Sequence, residues 1–242
     1  MNAKLFGTDG IRARAGEFPL NSHALVAIGQ AVGEKLGGKI LVGQDTRASS
    51  PWIFDLLRQG LSKTSVAIEN AGVIPTPAIA LLTKWSRYSG GLMISASHNP
   101  YEDNGIKVFA ADGTKLNDAD EAAIEKRIVE LLASDKLLRD HTDSVPQHEI
   151  SASNSTVWPE RYQEILLSHF PPGQWLNGVR VVMDCANGAM SEVAPRLLTR
   201  LGARVTLTHA SPQGTNINAG CGAVHMETVM ASMKNSSADF GV

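Results

Sequence analysis

Short apolar runs that stop at a polar, glycine-containing loop and lead into a helix-patterned segment recur along this chain, and that alternation restricts its fold more than any other feature. Lys39-Ile40-Leu41-Val42 is such a run. It ends at Gly43-Gln44-Asp45-Thr46-Arg47, and Ser50-Pro51 then supplies a cap and a first-turn proline for a helix over residues 52–63. Residues 65–69 read as a second strand, residues 76–85 as a helix after two prolines, and Gly91-Leu92-Met93-Ile94-Ser95 as a buried strand. Ahead of them, Leu25, Ile28, Val32 and Leu36 recur at helical spacing, with Asn21 or Ser22 to cap the start and Gly37 the end. The same order returns later: a strand over 179–183, a helix over 191–201 ending at Gly202, a strand over 204–208, a helix over 226–235 and an apparent third strand at the end. Such alternation predicts the α/β class, with two consecutive α/β domains whose mixed, largely parallel sheets are covered by helices.

Residues 106–110 form a further strand, followed by a turn at Ala111-Asp112-Gly113 and a helix from about Asn117 whose Ile124, Ile128, Leu131 and Leu132 share a face. The first domain is expected to span residues 1–152 and the second 153–242, joined by a polar, aperiodic connection over 141–156. Lys39 to Arg47 and Arg180 to Ala189 are alike in pattern, as in a duplicated unit. In such sheets ligands bind beyond the carboxyl ends of the strands. Asp45-Thr46-Arg47, Ser97-His98-Asn99 and Asp184-Cys185-Ala186-Asn187 all fall there.

A net charge of -2 provides no positive field to gather nucleic acid or an anionic membrane, so any bound anion is met locally. No apolar run reaches the ~18 residues of a membrane span, and the N-terminus lacks a signal-peptide pattern, which leads to a cytoplasmic expectation. Cys185 and Cys221 fit neither a disulfide framework nor a Cys-x-x-Cys pair and read as reduced thiols.

Ser97 follows a buried strand among small and polar neighbours, with His98 beside it and Asn99-Pro100 turning the chain from helix. A serine that carries a phosphoryl group needs cations to balance a charge of about −1.5 to −2. Arg12, after the glycine-bracketed Gly7-Thr8-Asp9-Gly10, and Lys107, two residues after Gly105, are the candidates. Taken singly, each motif has a plainer reading. Ser97 is then a turn or cap residue and Gly7-Thr8-Asp9-Gly10 a β-turn. Asp45-Thr46-Arg47 is a capped loop with a surface ion pair, Asp184 a cap for the following helix, and Cys185 a small core residue.

Together and in order, the motifs resemble the phosphohexose mutase superfamily, and within it the bacterial phosphoglucosamine mutase branch. The segments are Phe6-Gly7-Thr8-Asp9-Gly10-Ile11-Arg12, Ile94-Ser95-Ala96-Ser97-His98-Asn99-Pro100, Asp103-Asn104-Gly105-Ile106-Lys107, Asp112-Gly113-Thr114-Lys115-Leu116, Val182-Met183-Asp184-Cys185-Ala186-Asn187-Gly188-Ala189 and Asn216-Ile217-Asn218. The resemblance implies Ser97 as the phosphorylated residue, Arg12 and Lys107 as phosphate-site cations, and His98 as a proton-transfer or positioning group. Thr8 and Asn99 would contribute to phosphate binding. It also implies interconversion of glucosamine 6-phosphate and glucosamine 1-phosphate through a hexosamine 1,6-bisphosphate, with Mg²⁺ held by the Ser97 phosphate and by aspartates of an Asp-Gly-Asp-Gly-Asp-Arg loop. Mannose or glucose phosphate is the alternative sugar, and a non-catalytic sugar-phosphate-binding module the alternative class. A small hexose phosphate is the expected partner, neither nucleic acid nor membrane is, and a homodimer is compatible with the reading. Arg12-Ala13, where the family usually has Arg-Gly, and residues 219–226 depart from its pattern. The aspartate loop is expected just past Val242, and the family's four domains would be represented here by the first two.

Overall fold

The computed structural model describes residues 4–133, 142–146 and 157–242. It begins with a hairpin of β1 (Phe6–Gly7) and β2 (Gly10–Arg14), whose reversal pairs Gly7 with Gly10 across Thr8-Asp9. Gly10 has a φ of 87°, and a Cβ there would meet the Ile106 carbonyl at 2.3 Å, so only glycine closes this turn against the neighbouring strand. Helix α1 (Ser22–Leu36) starts where the Asn21 side chain accepts from the Ala24 amide at 3.0 Å and stops at Gly37, at φ 61°. Its Leu25, Ile28 and Val32 are fully buried, each stabilising the core by about 1.5–3 kcal/mol.

Strand β3 (Lys39–Gln44), helix α2 (Ser50–Leu61), strand β4 (Ala67–Val73), helix α3 (Thr76–Trp85) and strand β5 (Gly90–Ile94) then alternate as the pattern predicts. Several element ends shift, and one cap differs. β4 begins two residues later than the apolar run at 65–69 and extends to Val73. Ser50 does not cap α2, because its hydroxyl donates to Asp45 Oδ1 at 3.1 Å. Strand β6 (Asp103–Ala110) and helix α4 (Asp118–Leu132), capped by Asn117, complete the first layer.

The six strands stand in the order β1-β2-β6-β5-β3-β4. β3 pairs in parallel with β4 and β5, but β6 is antiparallel to both β5 and β2. The connection from β5 to β6 is too short for the dozen or more residues of a crossover, so the chain turns straight back. β2, β3, β4 and β5 therefore share one direction in a mixed sheet.

Helix α5 (Val157–Leu167) packs on α3, placing Trp158 edge-on to Tyr88 with ring centroids 5.9 Å apart. Strand β7 (Arg180–Asp184), helix α6 (Met190–Arg200), strand β8 (Arg204–Thr208), helix α7 (Met226–Lys234) and strand β9 (Phe240–Gly241) follow. They make a second sheet, β8-β7-β9, parallel throughout. Asp239, paired with Arg180, anchors the entry to β9, and that pairing draws its carboxyl down to about 2. β3 and β7 thus play the same part, each a central strand with parallel neighbours on both sides and a polar loop at its carboxyl end. The expected boundary between residues 152 and 153, and most of the connection at 141–156, lie outside the described residues. Within that connection, Asp143 is described: its amide donates to the Gly16 carbonyl at 2.9 Å and its carboxylate accepts from the Ser22 hydroxyl at 3.1 Å.

Candidate active site

Ser97 stands in the reversal between β5 and β6, exposed, on a left-handed backbone with φ 58°. A non-glycine residue held there stores on the order of 1–3 kcal/mol unless its surroundings enforce it. Arg47 enforces it from the loop after β3. Its guanidinium donates through one terminal nitrogen to the carbonyls of Ser97 (2.9 Å) and Asn99 (3.0 Å), and through the other to those of Pro100 and Asp103. Its Nε donates to Asp45 Oδ2 at 3.0 Å. The Asp45–Arg47 pair is therefore not the surface ion pair expected from the sequence. Arg47 is fully buried, because the carboxyl ends of the adjacent parallel strands β3 and β5 set the two loops side by side.

A second brace comes from the other sheet's loops. Asn218 Nδ2 donates to the same Ser97 and Asn99 carbonyls, at 2.9 and 3.0 Å. From below, the Ser95 hydroxyl accepts from the Ser97 amide at 3.1 Å. Buried Asn104 ties the start of β6 to Ser49 and Ser50 through its Nδ2, at 2.8 and 3.0 Å. Every group that fixes the loop grips its backbone or its base. The Ser97 hydroxyl itself makes no hydrogen bond with the described residues, and His98 is exposed beside it.

Arg12 on β2 and Lys107 on β6 meet at Asp9, in the hairpin turn: Lys107 Nζ is 2.8 Å from Asp9 Oδ2, and Arg12 pairs with the same oxygen. Arg12 also reaches Asn99 Oδ1 at 3.4 Å, which links this cluster to the serine loop, and its buried Nε has no hydrogen-bond partner among the described residues. Partial burial alone would raise the Asp9 carboxyl, but Lys107 and Arg12 outweigh it and hold the group below its ordinary range. Arg12, Lys107, Asp9 and Asn99 are thus one cluster. Thr8 is exposed in the adjoining turn, where its carbonyl accepts from Lys115 Nζ at 3.0 Å. Gly105 lets these layers close, since a Cβ would come within 2.8 Å of the Ile11 and Ser95 carbonyls.

The two polar loops at equivalent strand ends touch: Thr46 Oγ1 donates to the Asn187 carbonyl at 2.6 Å. Asp184 does not cap the next helix, whose N-cap is Ala189. Its carboxylate instead gathers the Ala186 and Gly222 amides and the Thr228 hydroxyl, at 2.9, 3.1 and 2.9 Å. Cys185 is buried, as its core reading expects, and burial with the neighbouring Asp184 charge pushes its thiol up to about 11. Arg47 and Asn218 are the residues that sequence reasoning passed over as parts of this site. Their motifs were visible, but nothing in the linear pattern said that both side chains converge on one loop's carbonyls.

An α/β sheet thus presents an exposed serine on a left-handed backbone at a strand end, linked through Asn99 to the cluster of Arg12 and Lys107. The family model described as phosphoglucomutase/phosphomannomutase, alpha/beta/alpha domain I, matches residues 3–134, and the chain belongs to that family. It is 41% identical over 244 residues to a phosphoglucosamine mutase of Deinococcus deserti, covering 99% of this chain and 53% of the relative. To a phosphoglucosamine mutase of Pseudomonas putida it is 42% identical over 246 residues, covering 100% and 53%. Among solved structures, a phosphoglucomutase/phosphomannomutase family protein of Burkholderia thailandensis superposes with a TM-score of 0.77 at 22% identity, covering 98% of this chain and 51% of that one, a likeness of fold. The chain spans about half the length of the curated relatives it matches. No helix among the described residues is long and apolar enough to cross a membrane.

Proposed function

We propose that this chain is the phosphoserine-bearing part of a phosphoglucosamine mutase, one that interconverts glucosamine 6-phosphate and glucosamine 1-phosphate through a hexosamine 1,6-bisphosphate. The observation that carries the reading is the Ser97 hydroxyl, free on a left-handed backbone that Arg47 and Asn218 lock from beneath. In the first half-reaction the bond from phosphorus to Ser97 Oγ breaks as a bond to the sugar hydroxyl forms. The second reverses this at the other sugar oxygen, so the serine holds the phosphoryl group in between. His98 is assigned to proton transfer or positioning at these oxygens, and Arg12 and Lys107 to the charge of the phosphoryl group. Asn99 and Thr8 complete the phosphate-binding edge. Glucosamine is the preferred sugar because the relatives at 41–42% identity are named for it.

Mg²⁺ belongs to the reading as the ion that would neutralise charge on the moving phosphoryl group. The described residues do not by themselves fit it. Mg²⁺ takes hard oxygen ligands, whereas Asp9 is taken up by Arg12 and Lys107, and the one ligand cluster found among the described residues contains a thiol and an imidazole. No step is routed through the ion. The division at residues 152/153 and a cytoplasmic location stay part of the proposal.

Two measurements test it. Incubation with glucosamine 1,6-bisphosphate should add one phosphoryl group, mapped by peptide mass to Ser97 and lost in Ser97→Ala; phosphate on another residue would overturn the assignment. In a coupled assay from glucosamine 6-phosphate, the 242-residue chain should show no sustained turnover. Rates of roughly 1–10³ per second would show that these residues suffice.

A further inference from the structure

We propose that Asp184, His209 and Cys221 form a binding site for one transition-metal cation of the Zn²⁺ class, separate from the Ser97 loop and independent of the reaction assigned to it. The ligands come from the carboxyl ends of the second sheet's strands: Asp184 closes β7, His209 follows β8, and Cys221 precedes the turn that leads into α7. A carboxylate oxygen, one imidazole nitrogen and the thiol sulfur all lie within 4.8 Å of one another. Cys221 is wholly buried and Asp184 is 4% exposed, while His209 is 34% exposed and leaves one side open for the ion and a water to enter.

The hydrogen bonds around Asp184 are those of an oriented ligand. Oδ2 is saturated by the Gly222 amide and the Thr228 hydroxyl, whereas Oδ1 takes only the Ala186 amide and keeps an acceptor position facing His209. Such donors behind a carboxylate fix its direction, as the outer partners of metal ligands do. His209 Nδ1 stands 3.2 Å from that same Oδ1, yet it is buried and makes no aligned hydrogen bond among the described residues. A hydrogen bond between them would need an alignment that is missing, while a metal ion set toward Cys221 would draw on all three residues.

Thiolate, imidazole and carboxylate together select Zn²⁺ and its neighbours over Mg²⁺. An ion at their centre would draw the ligands to roughly 2.0–2.3 Å from it; the Cys221 thiol proton would leave to solvent as the sulfur–metal bond forms, and water would take the fourth position. The backbone is already set for this. Ala186, Asn187 and His209 sit at φ 50°, 50° and 47°, and the two loops are tied by the Asn187 amide to the His209 carbonyl at 2.6 Å and the Cys185 amide to the Thr208 carbonyl at 3.1 Å.

The test is a titration of the chelator-treated 242-residue chain with Co²⁺, read by absorbance and followed by Zn²⁺ displacement. We expect one ion per chain, with a thiolate-to-cobalt charge-transfer band and the visible bands of four-coordinate cobalt. Cys221→Ser and His209→Gln should abolish the band, Cys185→Ala should leave it, and Thr228→Val, which removes a donor behind Asp184, should weaken binding roughly 10- to 100-fold. Absence of a thiolate band in the folded chain, its survival in Cys221→Ser, or its loss in Cys185→Ala would overturn the site. If buried Cys221→Ser fails to fold, His209→Gln and Thr228→Val decide, and wild-type binding in both refutes the proposal.

Discussion

Lysine in place of Arg47 would keep the charge and lose the geometry, because one ammonium cannot serve Asp45 and four loop carbonyls from a single buried position. Arg47→Met removes the counter-charge of the buried Asp45 carboxylate, takes the Nε donor from its Oδ2 and strips the four loop carbonyls of their buried cation. Denaturant unfolding should show a loss of about 3–5 kcal/mol, with Arg47→Lys recovering only part of it; wild-type stability in Arg47→Met would refute the clamp. Asp9 yields a pH prediction. Its folded value lies below the ordinary 3.8, so the unfolded chain takes up the proton first as pH falls. Its stabilising contribution is complete above that ordinary value and drains away as pH falls through the folded one, and Asp9→Asn should flatten the acid limb of the stability curve there. Residue motifs were the most legible part of this site. Arg12, Ser97, Asn99 and Lys107 stood out in sequence, but Arg47 looked like a surface residue because its burial depends on which strand lies beside β3.

Helices α1 and α2 cross where glycine replaces side chains on both. A Cβ at Gly29 would meet the Leu57 carbonyl at 2.3 Å, and one at Gly60 the Val26 carbonyl at 2.1 Å. Gly60→Ala gains helix propensity of roughly 1 kcal/mol, but it forces apart two backbones with no flexible atom to yield. Overpacking at about 1–3 kcal/mol should win, giving a lower melting temperature; a stabilised Gly60→Ala would refute the close crossing. The elements themselves were readable because apolar spacing and caps agree: β8 falls at the expected residues, and α4 and α7 differ only at their ends. The short β1–β2 hairpin and the direction of β6 were not. Two-residue strands carry no period, and direction depends on how few residues the connection has to span.

The two sheets meet at loops, and the meeting point is also the serine loop. Asn218, Thr46 with Asn187, and the Ala48 amide on the Gly214 carbonyl at 3.0 Å join them. Tyr162, Ile165 and Val193 share a core with Leu41, Ile79 and Met93. Asn218→Ala should therefore leave melting nearly unchanged while speeding amide hydrogen exchange in residues 97–103, measured peptide by peptide; unchanged exchange there would show that Arg47 alone holds the loop. The likeness between the β3 and β7 units was visible in sequence, but their contact was not, since no residue pattern encodes which loops of two units abut. The antiparallel return of β6 carries one more consequence. A nucleotide-binding sheet typically rests its phosphate on the amino end of the next helix, whose backbone amides survive every substitution but proline. Here a strand follows the serine, so under the proposed reading the phosphate's counter-charge resides in Arg12 and Lys107, which single substitutions can remove. On that reading, phosphate handling would be open to genetic adjustment one side chain at a time.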